Sequence, residues 1–137
     1  MIRRSLLALP ILFAAAVFAD ARPDEDHPAV KLVKSKVKDP SKPFVIIVTI
    51  KAKAGKEAEL EKAFAPCSAA TRKEPGCLAY DLSRDADDPT VYVNYEKFRS
   101  VAALEDHLKQ KHTQELLKTV PTLADGDLKI KVMTVPE

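Results

Sequence analysis

The stretch EPGCLAYDLSRDADDPTVYVNYEKFRS, residues 74–100, decides the fold. Pro75 and Gly76 end whatever helix precedes them, and Cys77 to Arg84 sets Leu78, Tyr80 and Leu82 against Cys77, Ala79 and Asp81, the two-residue period of a strand. RDADDP is a turn. Thr90 to Phe98 then forms the answering strand, with Tyr92, Asn94, Glu96 and Phe98 on one face and Val91, Val93 and Tyr95 on the other.

On either side of this hairpin the period changes. Upstream, FVIIVTIKAK (44–53) is dense in β-branched residues and ends at Ala54-Gly55, a strand followed by a turn. Between them, Leu60, Ala63, Phe64, Cys67 and Ala70 recur at helical spacing, and Pro66 is expected to kink or break that helix. Downstream, Ser100 caps VAALEDHLKQKHTQELLKTV, where Ala103, Leu104, His107 and Leu108 form an apolar stripe with room for a break near Lys111 and His112. LKIKVMTV supplies a last strand after the Asp125-Gly126-Asp127 turn.

The order strand, helix, strand, strand, helix, strand is the ferredoxin-like split β-α-β pattern, an α+β fold with a four-stranded antiparallel sheet. Helices cover one side of such a sheet. Val45, Ile47 and Val93 then fall on the uncovered side, and a second copy of the chain is the simplest cover, giving a homodimeric α/β barrel.

The N-terminal part reads differently. MIRR followed by LLALPILFAAAVFA, with small residues at Ala19 and Ala21, has the pattern of a secretory signal over residues 1–21. The apolar run is short of the ~20 residues of a spanning helix. The expectation is therefore a secreted or periplasmic protein with no membrane attachment after cleavage. Residues 22–42 carry three prolines and many charges without a sustained apolar face, and read as a flexible linker to a domain at 43–137. Loss of the signal lowers the net charge from +2 to +1, with acids and bases interspersed, so nucleic acid is not an expected partner. In an oxidising compartment Cys67 and Cys77 either form a disulfide, contributing roughly 2 to 3 kcal/mol, or stand as two small buried hydrophobes.

The runs APCSAATRKEPGCLAYDLSRDADDP and VYVNYEKFRSVAALEDHLKQKH together resemble the antibiotic biosynthesis monooxygenase family, which includes quinol monooxygenases and heme-degrading relatives. The resemblance spans residues 43 to 135. It implies a dimer with a pocket between the sheet and the second helical region, where a small aromatic substrate meets dioxygen with no metal or organic cofactor. That chemistry needs a base to form a phenolate, a polar group to hold it and a dry apolar cavity.

His107, on the apolar stripe, is the first catalytic candidate, since an imidazole with an ordinary pKa near ~6.5 is a suitable base. A buried histidine bonded to Glu96 is the alternative reading of the same residue. Glu96 either orients His107, as carboxylates orient catalytic histidines, or pairs with Arg99 or Lys97. Asn94, Tyr80, Tyr92 and Phe98 are candidate substrate contacts from the strands, and His112 from the helical segment. Five residues apart, His107 and His112 lie roughly 140° from each other on a continuous helix, so no metal site is expected from them. The chain has no tryptophan, where heme-degrading relatives place one near the cavity, and heme cleavage is disfavoured. The sequence thus supports an exported, cofactor-independent monooxygenase acting on a quinol or similar phenolic. A non-catalytic small-ligand-binding module of the cell envelope and an isomerase are its alternatives.

Overall fold

The computed structural model of the chain describes residues 26–136, so the expected signal segment lies outside the described residues. The hairpin of residues 74–100 is present as β2 (Cys77–Arg84) and β3 (Val91–Phe98), antiparallel. At its tip the Asp85 carboxylate accepts from the backbone N–H groups of Asp87 and Asp88, and the Asp88 carboxylate accepts from the N–H and hydroxyl of Thr90. Those side chains take over hydrogen bonds that the turn backbone cannot make itself. β1 (Phe44–Lys51) pairs antiparallel with β3 on one side and with β4 (Lys129–Thr134) on the other, giving the order β2-β3-β1-β4. This is the four-stranded α+β arrangement that the element order predicts.

The expected alternation fails at one point. A register irregularity between Cys77 and Ala79 places Cys77 opposite Phe98 and Tyr80 opposite Glu96. Leu78, expected to share a face with Tyr80, is instead an exposed residue. An extra residue in one strand displaces its neighbours from the period of two in this way.

The helices cover the face that carries Phe44, Ile46 and Ile50 of β1 and Tyr92, Asn94 and Phe98 of β3, all buried. α2 (Glu57–Thr71) lays Leu60, Phe64 and Cys67 on the sheet and continues through Pro66 without the expected break. One absent backbone hydrogen bond is outweighed there by the burial of residues on both sides of it. Cys67 and Cys77 are both free. The Cys67 thiol sits 3.7 Å from the Thr71 hydroxyl and 4.0 Å from that of Tyr80, buried inside the helix–sheet interface, whereas Cys77 is only partly buried.

The larger correction concerns residues 22–42. Within the expected linker, Pro28–Lys36 forms a helix, α1, and Val30, Val33 and Val37 are buried against Phe44, Ile46, Phe98 and the helical residues Val101, Leu104 and Leu108. Pro28 opens it, where a missing N–H costs nothing, and the His27 Nδ1 accepts from the Ala29 N–H. Fully burying a valine is worth about 1.5 kcal/mol or more, which ties this segment to the domain.

After the hairpin, Ser100 caps α3 (Val101–Lys109) by accepting from the Ala103 N–H at 3.2 Å, as its position suggests. α3 ends at Gln110, whose extended backbone (ψ 142°) turns the chain into α4 (Lys111–Leu123). Gly76 lies so close beneath α3 that a Cβ there would stand 2.3 Å from the Ala103 Cβ. Only glycine permits that approach. It brings the start of β2, with Glu74 just before it, directly under the α3–α4 corner.

Candidate functional site

Between the sheet and the helices α1, α3 and α4 lies a cavity of about 80 Å³, several times the room that one water needs. Its walls are mainly aliphatic, with Ile46, Val48 and Ile50 from β1 and Leu104, Leu116 and Val120 from the helices. Four polar side chains interrupt them from the sheet and α3: Tyr80, Asn94, Glu96 and His107; Thr113 of α4 and His27 ahead of α1 complete the polar lining.

Asn94 and Glu96 stand on the same face of β3, two residues apart. The Asn94 Nδ2 donates to a Glu96 carboxylate oxygen at 2.8 Å, while the buried Asn94 Oδ1 has no partner among the described residues. A buried amide oxygen left unpaired costs on the order of 1 to 3 kcal/mol, so a ligand hydroxyl that donates to it recovers that loss. Glu96 lines the cavity, and its carboxyl group is buried. Burial pushes its pKa from 4.5 up to about 7, opposed by the Asn94 hydrogen bond and reinforced by the Glu74 charge. The group thus exchanges its proton near neutral pH, the range suited to a general base. Tyr80 is buried, and desolvation first, then the Glu96 charge, holds its phenol well above its ordinary pKa, so it remains a neutral hydroxyl.

His107 is 3% exposed, and its ring packs on Phe98 at 5.0 Å and Tyr80 at 5.6 Å between centroids. Its partner is not Glu96. The Nδ1 lies 3.0 and 3.1 Å from the two carboxylate oxygens of Glu74, with the Thr113 hydroxyl at 3.4 Å. Burial holds its pKa below the ordinary value, with the Glu74 hydrogen bond and charge opposing, so the imidazole is mainly neutral near pH 7. The expected Glu96–His107 pair, and the alternative pairing of Glu96 with Arg99 or Lys97, give way to Glu96–Asn94 and His107–Glu74. The α3 helix aims the Nδ1 of the ring at Glu74, in the turn before β2, rather than at Glu96 of β3.

Other expected contacts are redistributed. Tyr80 and Asn94 reach the cavity, whereas Tyr92 and Phe98 do not line it. The Tyr92 hydroxyl donates to Glu61 of α2 at 2.7 Å, and Phe98 is wholly buried between Phe44 and His107. His112 lies outside the cavity, its Nε2 2.6 Å from Glu74. The corner at Gln110 cancels the 140° separation that a continuous helix imposes, so His107 and His112 share one carboxylate. With Glu74 they offer three metal-ligating atoms within 4.8 Å of one another.

Glu74 and His27 went unassigned in the sequence. A hint for Glu74 was present: an acid just past the C-terminal end of α2 opposes the helix dipole, so another partner must hold it. His27 carries no such hint, because the prolines and charges around it have the composition of a linker.

The sequence profile described as antibiotic biosynthesis monooxygenase matches residues 43–119. The chain belongs to that family. Solved structures share the fold: PA3566 of Pseudomonas aeruginosa is 32% identical and superposes with a TM-score of 0.66, covering 72% of this chain and 98% of its own. Rv0793 of Mycobacterium tuberculosis is 25% identical with a TM-score of 0.66, over 70% of this chain and 97% of its own. A Synechocystis relative, sll1783, is 28% identical over 101 residues, 74% of this chain and 69% of the relative. The family match begins at residue 43, so α1 and its His27 lie ahead of the matched region.

Proposed function

We propose that this family member oxidises a quinol or similar small phenolic with dioxygen, with Glu96 as the base. The observation that carries the reading is the unpaired Asn94 Oδ1 beside a carboxyl group that titrates at about 7 inside an apolar cavity. One hydroxyl of the quinol donates to the Asn94 oxygen, and its other hydroxyl yields its proton to the Glu96 carboxylate. The resulting phenolate is electron-rich and, shielded from water, reacts with dioxygen at a ring carbon. In balance, a hydroquinone and dioxygen give a hydroxyquinone and water. Tyr80 keeps its proton and serves as a hydrogen-bond donor, and the His107 ring walls the cavity.

The same reading has the protein act outside the cytoplasm as a homodimer. The basic start and apolar run of residues 1–21 support export. On the sheet face away from the helices, Val45 stands beside Met133 and Ile47 beside Tyr95, and both Met133 and Tyr95 are exposed. A second copy of this face is its natural cover.

Oxygen uptake with a panel of hydroquinones, coupled to mass analysis of the product, tests the reading. Hydroxyquinone formed at one dioxygen per substrate supports it. A bound hydroquinone with no oxygen uptake above buffer makes the cavity a binding site and removes the oxygenase reading.

A further inference from the structure

Glu74 and His112 do not line the cavity that holds Asn94 and Glu96, and the proposed oxidation uses none of the ligating atoms of the Glu74 cluster. Its three members come from three separate places: the turn before β2, the last turn of α3 and the first turn of α4. The Glu74 carboxylate is only 14% exposed, and among the described residues its ion-pair partners are the two imidazoles, neither of them permanently charged. A largely buried carboxylate without a fixed countercharge is costly.

A divalent ion supplies that charge. Two imidazole nitrogens and a carboxylate oxygen form the borderline donor set that binds zinc and its first-row neighbours, with remaining positions left for water. Around a tetrahedral ion with bonds of about 2.0–2.1 Å, neighbouring ligand atoms stand about 3.3 Å apart. From the one carboxylate oxygen that faces both rings, the separations are 3.1 Å to His107 and 2.6 Å to His112, so the first opens by about 0.2 Å and the second by about 0.7 Å, and all three ligand atoms already lie within 4.8 Å of one another. His112, 23% exposed, provides a path from solvent.

We infer that Glu74, His107 and His112 form a binding site for a divalent first-row transition-metal ion of the zinc class. The ion clips the α3–α4 corner to the turn before β2 and fixes the His107 ring that walls the cavity. It is a structural clasp, and its presence is read by binding rather than turnover.

The test uses the full chain stripped by chelator, with Zn2+ in equilibrium dialysis read by elemental mass spectrometry, and Co2+ as a spectroscopic probe. The expected result is one Zn2+ per chain and the intense visible bands of four-coordinate Co2+. Glu74→Gln and His112→Gln should each weaken Zn2+ binding by at least about 10-fold, with circular dichroism confirming that the fold is retained. Should Glu74→Gln fail to fold, the partly exposed His112→Gln still decides the matter. Absence of stoichiometric binding overturns the site, as does binding undiminished by His112→Gln, which would put the ion elsewhere. Neither outcome bears on hydroquinone oxidation, which is measured separately.

Discussion

Replacing Glu96 with glutamine removes one proton-binding site from the folded protein while keeping the acceptor for the Asn94 amide. Folding moves the Glu96 pKa from 4.5 to about 7, so between these values the folded protein holds a proton that the unfolded chain has released. Stability therefore falls as pH rises through that window, and it levels off above about pH 7. At about 1.4 kcal/mol for each tenfold change in proton affinity, the loss between pH 5 and pH 8 is about 2 to 3 kcal/mol. Urea unfolding of wild type and Glu96→Gln across this range isolates the effect, since every other group titrates in both proteins. The difference between the two should widen with pH in favour of the variant. Parallel curves would mean that the carboxyl group is already hydrated and ionised at neutral pH, and the argument for Glu96 as a base near pH 7 would collapse.

The anchoring of α1 predicts that Val33→Ala destabilises the protein by about 1 to 3 kcal/mol in urea unfolding, against almost no effect if the segment is a detached linker. Gly76→Ala drives a methyl group into Ala103 and should cost about 1 to 3 kcal/mol; a double-mutant cycle with Ala103→Gly should show favourable coupling, and strict additivity would contradict the contact. Light scattering of the full chain at micromolar concentration should give twice the chain mass, reduced to one by Tyr95→Glu. A wild-type monomer removes the dimer.

The sequence reveals those features whose cause is local. The alternation of β3, the acid-rich turn at Asp85–Asp88 and the Ser100 cap each follow from neighbouring residues, and they suffice to order the elements. α1 escapes notice because three valines spaced among lysines give a narrow stripe of poor helix formers, stabilised by packing on α3 and the sheet. The site is similarly divided. Tyr80, Asn94 and Glu96 declare themselves as polar positions on an otherwise inward strand face, but the partner of His107 lies 33 residues away on a turn. His112 joins it through a corner at Gln110 that carries neither glycine nor proline to mark it. Faces can be read from spacing, whereas which two buried polar groups meet depends on how helices are aimed at the sheet.

The most direct test of the central claim is the pH dependence of oxygen uptake with a hydroquinone that the protein turns over, corrected for oxidation in buffer. With Glu96 as the base, kcat/KM should rise with pH through an apparent pKa near 7. Glu96→Gln should lower it by about 100-fold or more and abolish that rise. A rate that is flat across pH 6 to 8, or one that Glu96→Gln leaves intact, would contradict the account.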